Sequence, residues 1–230
     1  MYNNNSGIRE RDVGLSSYVS KVFGWMFIGL LVTAFFAFSV AGTEFGKSLL
    51  SPGMMIFFIV IEFGLIIGLS FCINRISSTT ATLMFLAYSA INGITLSAIF
   101  YIYNIGVIFQ AFVVAAAVFG VMALYGYFTK NDLTYIGNIF VMGVFGVLIA
   151  SVVNMFLHNS IFDLIISYVI VFLFSGLVAH DAQKIKDYYQ MGGEYGSDEF
   201  LKKGAIVSAL ALYIDFINIF VALLRIFDRD

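Results

Sequence analysis

Residues 204–227 read GAIVSALALYIDFINIFVALLRIF, an apolar run that carries an aspartate, Asp215, near its middle. A hydrocarbon layer of about 30 Å needs about 20 helical residues to cross it, so this run is long enough to span a bilayer. Steps of four and three from Gly204 pass through Ser208, Ala211, Asp215, Asn218, Ala222 and Arg225. Apart from Ala205 and Ala209, every small or polar residue of the central region falls on that seam, and the other faces are mainly Ile, Val, Leu, Phe and Tyr. Such a helix turns its seam toward other helices or a wet cavity and its oily faces toward packing partners or lipid. Asp215 has two readings: a helix contact whose carboxyl is protonated or hydrogen-bonded, or a functional acid. Ionisable groups are so costly inside a membrane that the second is the default.

Working outward, the same apolar character fills the chain. Of 230 residues 61% are apolar and 11% charged, where a soluble domain has about 25% charged. The expected class is an all-α integral membrane protein. A net charge of −2 offers no basic field for nucleic acid, so partners are sought in the lipid bilayer or at its surface. The lone Cys72 leaves no intramolecular disulfide and no cysteine-based metal site. Residues 1–21 carry Arg9, Glu10, Arg11, Asp12 and Lys21 and no apolar core followed by a cleavage site. They are expected to be a polar N-terminal tail rather than a signal peptide, ahead of a single transmembrane domain over 22–230.

Seven spans are predicted, at 22–42, 54–73, 82–103, 107–128, 135–157, 161–181 and 204–227. Continuous apolar runs without period-two alternation exclude a barrel, so the spans are helices. The breaks are short: Pro52 and Gly53 close one, the Ser77–Thr80 run suits the start of a helix, and Lys130, Asn131 and Asp132 make a polar turn. Only 182–203 is longer, and its first part, 183–190, prolongs the sixth helix. With seven crossings the N-terminal side collects nine Lys and Arg against three, which places the N-terminus in the cytoplasm. A re-entrant last segment would make the count eleven to one, whereas its length favours a full span.

Four ionisable residues are candidates for burial or for the membrane boundary: Glu62, Arg75, Asp181 and Asp215. Glu62 lies mid-span, about 200° round the helix from Gly64, which with Gly68 and Cys72 forms a small-residue face for close contact. It is either a carboxyl bonded to a neighbouring helix or part of a proton or cation path, along which Ser208, Asn218 and His180 are further candidates. Arg75 and Asp181 share the cytoplasmic boundary and could pair, and an aspartate held by both an arginine and another carboxylate can switch protonation near neutral pH. His180 either titrates in the same range or is a solvated interfacial histidine. Lys184 and Lys186 read as a wetted or headgroup-facing surface. There is no phosphate-binding glycine loop, and His158 and His180 lie toward opposite faces. No nucleophile and base stand out, so neither catalytic residues nor a cofactor are expected. Tyrosines near the span ends form an interfacial belt.

Three stretches carry a family resemblance: FCINRISSTTATLMFLAYSAINGITLSAIFYIY (71–103), FSGLVAHDAQKIKDYY (174–189) and ALALYIDFINIFVALLRIF (209–227). With seven spans, the chain resembles the bacterial branch of the Bax inhibitor-one, or transmembrane Bax-inhibitor-motif, family. The resemblance implies six helices around a central C-terminal seventh, in a bacterial cytoplasmic membrane. It also implies a pH-sensitive aspartate pair at the cytoplasmic end that opens or closes a calcium leak. Asp181 and Asp215 match that pair and bind calcium in transit, and Arg75 matches the arginine that holds one of them. A geometric condition follows. Asp181 ends its apolar run while Asp215 lies eleven residues into the next, about 16 Å deep. The pair requires a sixth helix set deep, with Lys184 and Lys186 snorkelling, or a seventh that begins outside the hydrocarbon.

The expected function is a pH-gated leak of cations, calcium above all, with protons as the controlling ligand. Two alternatives stand beside it. A membrane regulator would bind a quality-control protease or stress factor, using the MYNNNSG end as a handle. A proton-coupled transporter would use Glu62.

Overall fold

The computed structural model describes the backbone of residues 4–73, 75–195 and 198–228, and the side chains of 14–73, 75–192 and 198–228. Arg9, Glu10, Arg11, Asp12, Arg229 and the side chains of the MYNNNSG end lie outside the described residues.

The described chain is helical: α1 (Asn4–Val40), α2 (Glu44–Ser48), α3 (Pro52–Cys72), α4 (Ser78–Leu96), α5 (Ile99–Ile102), α6 (Ile105–Phe128), α7 (Thr134–Leu157), α8 (Ser160–Tyr195) and α9 (Asp198–Phe227). Seven stretches are long and apolar enough to cross a membrane, with α4 and α5 together forming the third. Turn chemistry sets their ends. Pro52 opens α3, where its missing N–H costs nothing. Ser77 accepts from the Thr80 N–H at 3.1 Å and caps α4. His158, at φ 51°, closes α7 in the left-handed region. The third span breaks at Ser97, whose Oγ donates to the Ile94 carbonyl at 2.7 Å, a bond that competes with the helix ladder.

The last two spans outrun their apolar stretches. α8 continues 14 residues past Asp181, and α9 starts six residues before Gly204. The expected prolongation of the sixth helix is present and longer than the sequence suggests. From Asp198 to Phe227 α9 is one uninterrupted helix of 30 residues, about 45 Å at the helical rise. That unbroken length favours a full crossing over a re-entrant tail, which would need a turn within the bilayer.

Burial separates the helices by role. None of the most apolar window of α7 is buried and 6% of that of α3, against 67% of that of α9. On α3 the residues Ile56, Val60, Phe63, Ile67 and Phe71 form an exposed stripe at helical spacing. Apolar area on that scale has no place on a soluble monomer, and bilayer lipid is its solvent. Between Gly204 and Phe227 no residue of α9 is exposed. The seam therefore does not divide inside from outside as expected: Ser208, Asp215 and Ala222 are buried, and so are Leu212, Tyr213 and Phe216 on other faces. A helix that is buried all round needs no oily side for lipid.

The chain divides into two compact units, one of residues 1–101 with 184–210 and the other of 102–183 with 211–230. In the first unit α1 packs on α4, where Thr33 Oγ1 donates to the Ser89 carbonyl at 2.9 Å. α3 meets α4 through Glu62, which accepts from Thr95, and at Gly68, which lies against Met84. The small-residue face of α3 touches α4 only in part: an added Cβ on Gly68 would meet Met84 at 3.3 Å, but one on Gly64 would meet nothing, and Cys72 is exposed. Toward α3, α4 is held by hydrogen bonds to the Glu62 carboxylate; toward α1 the backbones approach closely at Gly93, where an added Cβ would collide with the Thr33 carbonyl. In the second unit Phe216 of α9 stacks edge-on against Phe112 and Phe119 of α6, at 5.6 and 5.8 Å between ring centroids.

Candidate functional site: an aspartate pair in the second unit

The site is built around residues 179–183 of α8. An added Cβ on Gly126 of α6 would collide with the carbonyl of Ala179, so glycine is needed for the two backbones to approach this closely. On the next helix Gly137 leaves the space that the His180 ring fills. Gln183 completes the grip on α8. Its Oε1 accepts from the Leu133 N–H at 2.8 Å, and its Nε2 donates to the Asn131 carbonyl at 2.8 Å. One amide side chain thus satisfies both a donor and an acceptor of the α6–α7 turn. Asp132, in that turn and outside the spans, accepts from the N–H of Thr134, the first residue of α7, at 2.9 Å. Its carboxyl is held below the usual carboxylate range by hydrogen bonds from the Thr134 side chain and backbone, with a smaller contribution from the nearby His180.

So held, α8 presents His180 and Asp181. His180 is 5% exposed, and its Nδ1 shares a 2.9 Å hydrogen bond with Asp181 Oδ1. The solvated interfacial histidine is therefore corrected: the gap over Gly137 lets the ring pack between helices. Asp181 is half-buried. Asp215 is 4% exposed, its Oδ2 has no hydrogen-bond partner among the described residues, and its carboxyl lies within electrostatic reach of Asp181.

Helix length removes the depth mismatch. Asp181 stands 14 residues before the end of α8, and Asp215 stands 17 residues after the start of α9. At 1.5 Å per residue the two lie at nearly equal distances, about 21 and 26 Å, from the α8–α9 connection. Hydropathy misplaced them because it marks where apolar residues stop, while both helices continue through polar ones.

The other candidates are distributed as follows. Asn218 Nδ2 donates to the Ile214 carbonyl at 2.8 Å, which turns its amide back on its own helix. Ser208, two turns before Asp215, is buried with an unpartnered Oγ. Arg225 approaches Asp163 at 3.6 Å, ten residues beyond Asp215. Glu62 and Arg75 belong to the first unit. Glu62 accepts from Thr95 Oγ1 at 2.7 Å and from Asn92 Nδ2 at 3.3 Å, which is the helix-bonded carboxyl. Arg75 is exposed in the α3–α4 turn and makes no salt bridge among the described residues. Among the described residues no three His, Cys, Asp or Glu side chains converge as a metal cluster would. Gln183, Asp132, Gly126 and Gly137 do not stand out as site residues in the sequence. Their signals are faint: an amide two residues after Asp181, an acid in a turn, and glycines within spans.

Seven apolar helices, with Asp215 buried and Asp181 half-buried among them, define an integral membrane protein that keeps acids within its spans. A family model described as inhibitor of apoptosis-promoting Bax1 matches residues 15–230, and the chain belongs to that family, the Bax inhibitor-1 family. It is 40% identical to the inner membrane protein YbhL of Escherichia coli K12 over 229 residues, 98% of this chain and 97% of that one. It is also 43% identical to an uncharacterized protein of Borreliella burgdorferi over 212 residues, covering 91% and 90%. A Rickettsia prowazekii protein, RP147, is 37% identical over 217 residues, covering 93% and 90%.

Proposed function

We propose that this protein is a non-enzymatic cation leak of the bacterial cytoplasmic membrane, with calcium as the main permeant ion, gated by a proton shared between Asp181 and Asp215. The observation that carries this reading is the unpartnered Oδ2 of buried Asp215 beside a second carboxylate. A buried polar atom without a partner costs about 1–3 kcal/mol, and two ionised carboxylates in a dry site repel strongly. One shared proton relieves both costs by supplying a donor and removing a charge. Loss of that proton leaves like charges facing each other and drives the helices apart, so the leak opens as pH rises. His180 holds one oxygen of Asp181 through its Nδ1. Two carboxylates are hard oxygen ligands suited to calcium but too few for a tight cage, which favours transit over storage. The nine-to-three distribution of basic residues supports a cytoplasmic N-terminus. The test is calcium flux into vesicles containing the purified protein, measured across a pH range. The proposal expects Asp215→Asn to remove the pH response, and an unaltered response in that variant contradicts it.

A further inference from the structure

A second feature lies in the first unit, apart from the aspartates. A cavity of about 730 Å³ opens among α1, the start of α4, the end of α8 and the start of α9. Ser78 and Asp198, in its wall, open α4 and α9, and Leu83 and Ile206 carry the cavity onto the apolar parts of those helices. Its walls are of two kinds. Trp25, Leu83, Leu201 and Ile206 are apolar, and Leu83 is 63% exposed, so the cavity has a side that faces the lipid around α4. Lys21 and Lys202, both exposed, supply its cations, with the hydroxyls of Ser17, Thr79 and Thr82 near them.

The charges around the cavity give it a sign. Asp198 also lines it, and Glu199 is nearby but engaged, its carboxylate accepting from the Ser78 N–H at 2.6 Å and the Ser78 hydroxyl at 2.9 Å. Counting Lys203, which with Lys202 acts on Glu199, three cations stand against two acids. Tyr18 forms part of the wall and is 5% exposed, and its hydroxyl has no hydrogen-bond partner among the described residues. An orphan donor, a single excess positive charge and apolar walls open to lipid describe the complement of one amphiphile. A free phosphate would match the charge and leave the apolar walls wet.

We propose that this cavity binds an anionic phospholipid, with its phosphodiester between Lys21 and Lys202 and an acyl chain along Trp25 and Leu83. Trp25 is the single tryptophan of the chain, so its fluorescence reports this cavity alone. The test uses the full chain in phosphatidylcholine nanodiscs containing a small fraction of brominated phosphatidylglycerol or, in a parallel sample, brominated phosphatidylcholine. Brominated phosphatidylglycerol is expected to quench Trp25 roughly fivefold more per mole, the preference expected of one excess positive charge. The double variant K21Q/K202Q should bring the two lipids level, K21R/K202R should keep the preference, and Asp198→Asn should increase it. Lys47→Gln, on α2, should change nothing. Equal quenching by the two lipids in the native chain, a preference that survives K21Q/K202Q, or one that is lost in K21R/K202R overturns the proposal. Relief of the preferential quenching by inorganic phosphate would assign the cavity to a free anion and overturn it as well.

Discussion

Glu62 and Asp215 are both carboxylic acids inside apolar spans, and their surroundings differ in kind. Glu62 of α3 is half-buried and receives donors from Thr95 and Asn92 on the neighbouring helix. Asp215 of α9 is more deeply buried, has an oxygen with no partner among the described residues, and lies within electrostatic reach of Asp181. Satisfied polar groups hold helices together, whereas an unsatisfied one beside a like charge is poised to change state. Burial alone does not distinguish glue from switch; the neighbours' hydrogen-bonding capacity does.

The largest effect expected from breaking this contrast is on ion flux. In vesicles, a single shared proton allows up to about a tenfold change in flux per pH unit. Asp215→Asn should abolish that dependence, while Glu62→Gln, which can still accept from Thr95, should preserve it. Loss of the pH response in Glu62→Gln would move the switch to the first unit. Next comes the support beneath Asp181. Gly126→Ala puts a methyl group against the Ala179 carbonyl and should destabilise the protein by about 1–3 kcal/mol, measured as a fall in thermal unfolding temperature in detergent. The same measurement should show a smaller loss, about 1 kcal/mol, for Thr95→Val, which removes the stronger donor to Glu62. The smallest effect concerns Asp132. Because its folded-state pKa is depressed, its contribution is fully present above the ordinary aspartate range and is lost as pH falls through the depressed value. Asp132→Asn should therefore lower the unfolding temperature slightly at neutral pH and leave it unchanged in strong acid.

Asp215 announces itself in the sequence because an acid in the middle of an apolar run has few explanations. The seven spans are legible for the same reason: lipid demands about 20 apolar residues per crossing, and that demand is written locally. Gln183 is much less legible. Its role depends on two backbone groups some fifty positions away, and nothing near it in the chain records them. The burial of His180 is hidden in the same way, since it depends on the absent side chain of Gly137.

The sequence by itself determined that the chain is a seven-span helical membrane protein, because hydropathy and helical period are properties of neighbouring residues. It also named the two aspartates, through their setting and their family likeness. Only the tertiary structure decided that they lie at matching distances from the α8–α9 connection, that His180 is buried against Asp181, and that Glu62 is satisfied while Asp215 is not. Those outcomes depend on how far helices run past their apolar cores and on which side chains meet between them, and neither is encoded in any one stretch.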